Sequence, residues 1–338
     1  MSDTVALHDV TAKARLAPYA PVVAVLAYPF LLDAFHAAIA SEITALAALL
    51  LLAALAVPLV GLMTAYNLAQ TIHPDAASLR ARRFAYASMA APPLFVFLGV
   101  APGLVGIHLP DKLLWIAVWL LLAAITWLMP ARAAAPARAP SAKWRVAHGI
   151  SAALIACFVL FHLFNHLTGL VGGADMHAAV MKAGRTVYRA SFVEPVLVTL
   201  LAFQIASGFL LFWRWSALKA DLFRAFQIGS GLYLAMFLLA HMNSAFISAR
   251  AVHHIETNWA WAAGLPTGLI RDSWNIRLLP HYAFGAFFVL GHLASGARVV
   301  ALNHGVGLAA ANRFWFAGLA AAALIATAII AGLCGVRI

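Results

Sequence analysis

Three histidines, His162, His241 and His292, sit deep inside hydrophobic stretches of this chain. A polar or ionisable side chain is costly in hydrocarbon, so each one is a candidate functional site. Two of them match in depth. His162 lies 16 residues beyond Val146, where the fifth apolar stretch begins, and His241 lies 17 residues beyond Arg224, where the seventh begins. At about 1.5 Å per residue, both imidazoles lie roughly 25 Å from the start of their spans. Imidazole nitrogen ligates haem iron and other transition metals, and facing helices in a bundle can clamp an iron from two sides. His162 and His241 are therefore the expected metal ligands. The competing reading is that each is a helix-packing residue that hydrogen-bonds to a neighbour. His292 belongs to a span that runs the other way and falls in the opposite half of the bilayer. Ser207 on the sixth span shares its depth, with Gln204 one turn further out.

Several other residues could serve the same chemistry. His166, one turn outward of His162, could bond a haem propionate or simply lie at the interface. Arg185 and Arg189 near Glu194 could hold propionates by charge-assisted hydrogen bonds, or form an interfacial ion cluster. Asp33 and His36, three apart on one helix face, could relay protons or pair with each other. His148 and His281 at helix ends, and His177, His253 and His254 in outer loops, read as solvated. Glycines cluster in the histidine-bearing spans (Gly149, Gly169, Gly208, Gly229, Gly231, Gly285, Gly291 and Gly296) and permit close approach of a macrocycle or another helix.

The elements that must position these residues are membrane helices. The chain has 338 residues, 64% of them hydrophobic and 10% charged, with the charges confined between long apolar runs. That pattern specifies transmembrane helices and lacks the alternation of a membrane β-barrel. Nine spans are expected, at about 18–40, 43–68, 84–106, 112–130, 146–170, 192–213, 224–248, 279–301 and 313–335. The first is too long for a signal-peptide core and is read as a retained helix. A Pro/Ala/Arg-rich linker over 131–143 separates a four-helix half, 1–130, from a five-helix half, 144–338. Residues 82–100 align weakly with 223–241, which suggests a degenerate repeat of four-helix units, although any two apolar helices align about as well. Two lone cysteines, Cys157 and Cys334, offer neither a disulfide framework nor an iron–sulfur motif, and the absence of Cys-x-x-Cys-His excludes covalent haem attachment. The net charge of +11 follows from loop lysines and arginines and points to topology rather than to nucleic acid.

Three segments resemble the five-helix di-haem cytochrome b anchor of succinate:quinone oxidoreductases and fumarate reductases. "WRVAHGISAALIACFVLFHLFNHLTGL" at 144–170 is similar to that family's first helix, "FRAFQIGSGLYLAMFLLAHMNSAF" at 223–246 to its fourth and "LLPHYAFGAFFVLGHLASGARVV" at 278–300 to its fifth. The resemblance covers about 144–300 and implies haem ligands at His162, His241 and His292, with His162 and His241 sharing the outer haem. The family's second-helix histidine falls at Ser207, a poor iron ligand, and an acid found before the fifth-helix histidine in some members is Leu290 here. One haem b is therefore expected, and a second lacks its partner ligand. The expected function is electron transfer between a quinone and a partner protein. Flavin and iron–sulfur chemistry would reside on partner subunits. The rival is a non-haem membrane protein, a transporter or assembly partner. Its intramembrane histidines would be structural, and Pro58, Pro92 and Pro93 would break its helices.

Of the 22 lysines and arginines, 14 fall on the N-terminal side of these spans and 8 on the other. The chain is thus expected in a bacterial cytoplasmic membrane with its N-terminus inside and its C-terminus outside. Reporter fusions after Arg138 and Lys219 should read as cytoplasmic, and fusions near His177 and Glu256 as external. If fusions showed His162 and His241 in opposite leaflets, a shared ligand would be ruled out.

Overall fold

The computed structural model describes residues 17–131 and 137–338, and all regular structure among them is helical. The helices are α1 Ala20–Ala40, α2 Thr44–Leu68, α3 Ala76–Met89, α4 Ala91–Leu104, α5 Asp111–Leu128, α6 Ala142–Tyr188, α7 Val193–Trp215, α8 Leu222–Met242, α9 Trp259–Ala262, α10 Leu278–Asn303 and α11 Leu308–Leu333. Among the described residues, eight helices are long and apolar enough to cross a membrane, or nine if α3 and α4 form one bent span. The protein is a polytopic helical membrane bundle. Helices suit that setting because they satisfy their backbone groups internally. Leu49, Leu52, Leu59 and Met63 of α2 remain exposed, as a lipid-facing surface requires. The expected linker lies partly outside the described residues, at 132–136, as do Lys13, Arg15 and Arg132 of the charge count.

The expected span at 84–106 is corrected. It is two helices, bent by 72° at Ala90. Pro92 and Pro93 have no N–H to give to the carbonyls four residues back, so α3 ends before them. They fit the first turn of α4, where no such bond is needed. The segment aligned with this one, 223–241, lies in the unbroken α8, so the two share sequence character but not shape.

Five helices of the C-terminal half close a ring. α6 packs on α7, α7 on α8, α8 on α10, α10 on α11, and α11 returns to α6. The N-terminal half lies against the outside of this ring, with α2, α3 and α4 on α8 and α4 also on α10. Arg82, read above as a loop charge, is instead fully buried. Its Nη1 donates to the carbonyls of Ser216 (3.1 Å) and Leu218 (3.0 Å), and its Nη2 to those of Leu68 (2.7 Å) and Thr71 (3.1 Å). These carbonyls sit at or just beyond the C-terminal ends of α7 and α2, where helix carbonyls lack intrahelical donors and carry partial negative charge. One guanidinium therefore joins the two halves. Beside it, Arg83 lies 3.4 Å over the Trp213 ring and donates to Ser216 Oγ.

Removing Arg82 would strand four acceptors at a buried junction. Arg82→Met should cost on the order of 2–4 kcal/mol. The check is the midpoint of thermal unfolding in detergent, which should fall clearly, with Arg82→Lys restoring only part of it. An unchanged midpoint for Arg82→Met would show that the junction does not depend on this residue.

Candidate functional site

The helix ring encloses a cavity of about 370 Å³ that runs along the bundle axis. The half of it near the C-terminal end of α8, named the outer half after the expected topology, with the other half the inner, is lined by histidines. His162 on α6 and His241 on α8 face each other with ring centroids 6.1 Å apart and planes inclined by 68°. Each ring is held by an aromatic one turn earlier on its own helix: Phe158 stacks on His162 at 5.7 Å, and Phe237 on His241 at 5.4 Å. His166 stands edge-on to His162 at 4.8 Å, and its Nδ1 is sealed without a partner. The structure thus brings together the two histidines that the depth count singled out. The α-helix ends one residue beyond His241 and continues as a wider π-helix over Asn243–Val252, an irregularity frequent at functional sites.

Two groups read as solvated prove to be buried here. His177 is 3% exposed and His281 1%. The 171–191 segment, expected as an outer loop, is helical and folds back on α6. Gly172 and Gly173 leave helical geometry, and Gly173, at φ 63°, holds a left-handed conformation that a side chain would disfavour. The reversal lets Asn165 Nδ2 donate to His177 Nε2 at 3.0 Å, although 12 residues of straight helix would span about 18 Å. Further along, Tyr188 packs on Phe158 at 5.4 Å, and Gly184 sits so close to Phe161 that a Cβ would come within 2.2 Å of its ring. Trp259 of α9 covers His177 at 4.9 Å and seats against Gly169. The missed signal was the helical spacing of His177, Met181, Arg185 and Arg189, four apart along one face. His281, at the outer start of α10, packs on Phe237, the same ring that supports His241.

Arg185 and Arg189 do reach the outer mouth of the cavity, together with Arg250 and Glu194. The expected ion cluster is wired differently, however. Arg185 pairs with Glu256 at 2.7 Å and bonds the Thr257 carbonyl, Arg189 donates to Thr257 Oγ1, and Glu194 pairs with Arg250 at 2.5 Å. Asp33 and His36 do not pair with each other. Asp33 binds Lys112, and His36 Nε2 lies 3.0 Å from the Arg271 carbonyl.

The inner half of the cavity has its own polar groups. His292 lines it, and so does His148, read above as a solvated helix-end residue. Ser207 faces His148, with Nδ1 to Oγ 2.7 Å, while His292 Nδ1 meets Ser230 Oγ at 3.0 Å. Gln204 Nε2 donates to the His148 carbonyl and to Ser151 Oγ. His253 and His254 are exposed, in keeping with their reading.

Comparisons of the chain with protein-family models, curated proteins and solved structures found no match. The site is therefore argued from its own geometry. The fold-back of α6 is open to a direct check. With Cys157 and Cys334 replaced by serine, Phe161→Cys with Gly184→Cys should be joined by a short bifunctional thiol reagent, detected by mass spectrometry of the digest. A continuous α6 would separate these positions by roughly 35 Å and give no product.

Proposed function

We propose that this chain is a membrane cytochrome b that binds one haem b between His162 and His241 and carries electrons between a quinone and a partner protein. The 6.1 Å spacing of the two imidazoles carries the reading. A metal–imidazole bond is about 2 Å, with the ring centre about 1 Å further back, so two imidazoles on one metal sit roughly 6 Å apart. Among the described residues, no group of three or more His, Cys, Asp or Glu side chains is placed to hold a bare ion. Two facing ligands suit an iron whose other four bonds come from a macrocycle. The surroundings fit as well. Arg189 at the outer mouth, with Arg185 and Arg250 beside it in their pairs with Glu256 and Glu194, offers donors to propionates, and Arg185 Nε and His166 Nδ1 are buried without a protein partner.

When bound, haem supplies one-electron transfer. The chain's part is to ligate through His162 and His241 and to fix their ring planes with Phe158 and Phe237. The five-helix wall keeps water away, which together with the ligands sets the potential. The lack of cysteine motifs leaves flavin or iron–sulfur chemistry to partner subunits, and the orientation proposed is N-terminus inside a bacterial cytoplasmic membrane. A transporter or assembly role has one observation in its favour, the proline-broken α3–α4 pair. In that reading the histidines only pack helices.

Protein purified in detergent from haem-replete cells should be red and give close to one haem per chain by pyridine haemochrome. His162→Ala and His241→Ala should each abolish the low-spin spectrum, whereas His292→Ala should keep most of it. A colourless preparation would leave the transporter or assembly role.

A further inference from the structure

The inner half of the cavity is not used by a haem on His162 and His241, yet it holds the most ordered polar arrangement in the ring. Ser207 Oγ donates to the Phe203 carbonyl at 2.6 Å, so toward His148 it can only accept, and the proton of that 2.7 Å bond belongs to His148 Nδ1. With the Ser230 hydroxyl proton on the Gln227 carbonyl at 3.3 Å, the arrangement that matches Ser207, the 3.0 Å bond is donated by His292 Nδ1. In a neutral imidazole the other nitrogen then carries a lone pair. Both histidines line the cavity, and neither Nε2 is among the nitrogens sealed from it. His292 is further set by Gly231, where a Cβ would come within 3.1 Å of Cε1.

The two acceptors come from different walls. α6 and α10 are separated around the ring by α11 on one side and by α7 and α8 on the other. The cavity lining they share also carries the apolar Ala152, Ile228, Ala235 and Val289. Gln227 adds a carboxamide whose Oε1 is taken by Arg224 at 2.7 Å, leaving its N–H groups as donors. A ligand complementary to this site is a flat apolar ring with a hydroxyl donor at each end.

We infer that the inner half of the cavity binds a hydroquinone head group, its two hydroxyls donating to Nε2 of His148 and Nε2 of His292. Ser207 and Ser230 act as positioning residues that hold each imidazole in the accepting tautomer. This rests on the quinone part of the function proposed above and assigns it a place and two atoms. It also gives the Ser207 substitution a role: a serine there orients a second histidine, His148, instead of ligating iron.

The test is anaerobic calorimetry on the purified full chain with tetramethylhydroquinone and with its dimethyl ether, which keeps the ring and loses both donors. The hydroquinone should bind at least about tenfold more tightly than the ether, the worth of one to two hydrogen bonds. His148→Phe and His292→Phe should each weaken that preference and together remove it, while leaving haem content at the wild-type level. Because either phenylalanine could disturb folding, Ser207→Ala with Ser230→Ala is the companion variant and should weaken hydroquinone binding several-fold with the ether unaffected. Equal binding of the two probes, or a preference that survives the two phenylalanines together, would overturn the assignment. Loss of a haem on either phenylalanine variant, with the His162–His241 spectrum kept, would overturn it too and make these residues metal ligands. A colourless protein that still prefers the hydroquinone would remove the cytochrome reading and leave this site standing; a red protein without the preference would do the reverse.

Discussion

Hydrocarbon offers no water to complete a hydrogen bond, so every polar atom placed in this bundle needs a partner from the chain or from something the chain binds. That constraint organises the molecule. It makes each span a helix and turns Arg82 from a loop charge into the joint between the halves. The C-terminal carbonyls of α2 and the carbonyls that follow α7 need donors, and one guanidinium reaches four of them. It also makes the unpartnered atoms informative. His166 Nδ1 and Arg185 Nε belong to side chains that line the cavity with the outer histidines, where the chain alone does not satisfy them.

The closed ring of α6, α7, α8, α10 and α11 gives six histidines a common interior instead of separate lipid-facing positions. Within it, the two ends are built on different principles. At the outer end, His162 and His241 face one another with aromatic backing, and Asn165 bonds only the neighbouring His177. At the inner end, each imidazole is tied by Nδ1 to a serine whose own proton goes to a helix carbonyl, which suits hydrogen-bond acceptance. The distance between the two ends follows from helix rise. His148 and His162 lie 14 residues apart on α6, about 21 Å of helix.

The fold-back of α6 shows how a small local feature redirects function-bearing residues. Two glycines reverse the chain, a third at 184 lets it lie flat on Phe161, and His177, Arg185 and Arg189 are thereby delivered to the cavity mouth. Trp259 then closes over His177, using the space that Gly169 leaves.

Much of this was legible in the sequence, for a physical reason. Hydrophobic length and helix rise are properties of a single segment. They sufficed to place the membrane spans, apart from the bent one at 84–106, and to single out His162 and His241, which the fold brings face to face. What only the tertiary structure decided was which polar groups meet, because that depends on how helices rotate and which neighbours they face. Spacing on one helix grouped Asp33 with His36, and proximity along the chain grouped Glu194 with Arg185 and Arg189, yet the chosen partners, Lys112, the Arg271 carbonyl and Arg250, come from other elements. Nor can a position at a helix end or in an expected loop reveal burial, which is how the buried His177 and His281 and the half-buried His148 escaped notice. The bend at Ala90 lay between these cases. Pro92 and Pro93 announce a break in the sequence, but its angle of 72° was settled by the packing of α3 and α4 against α8.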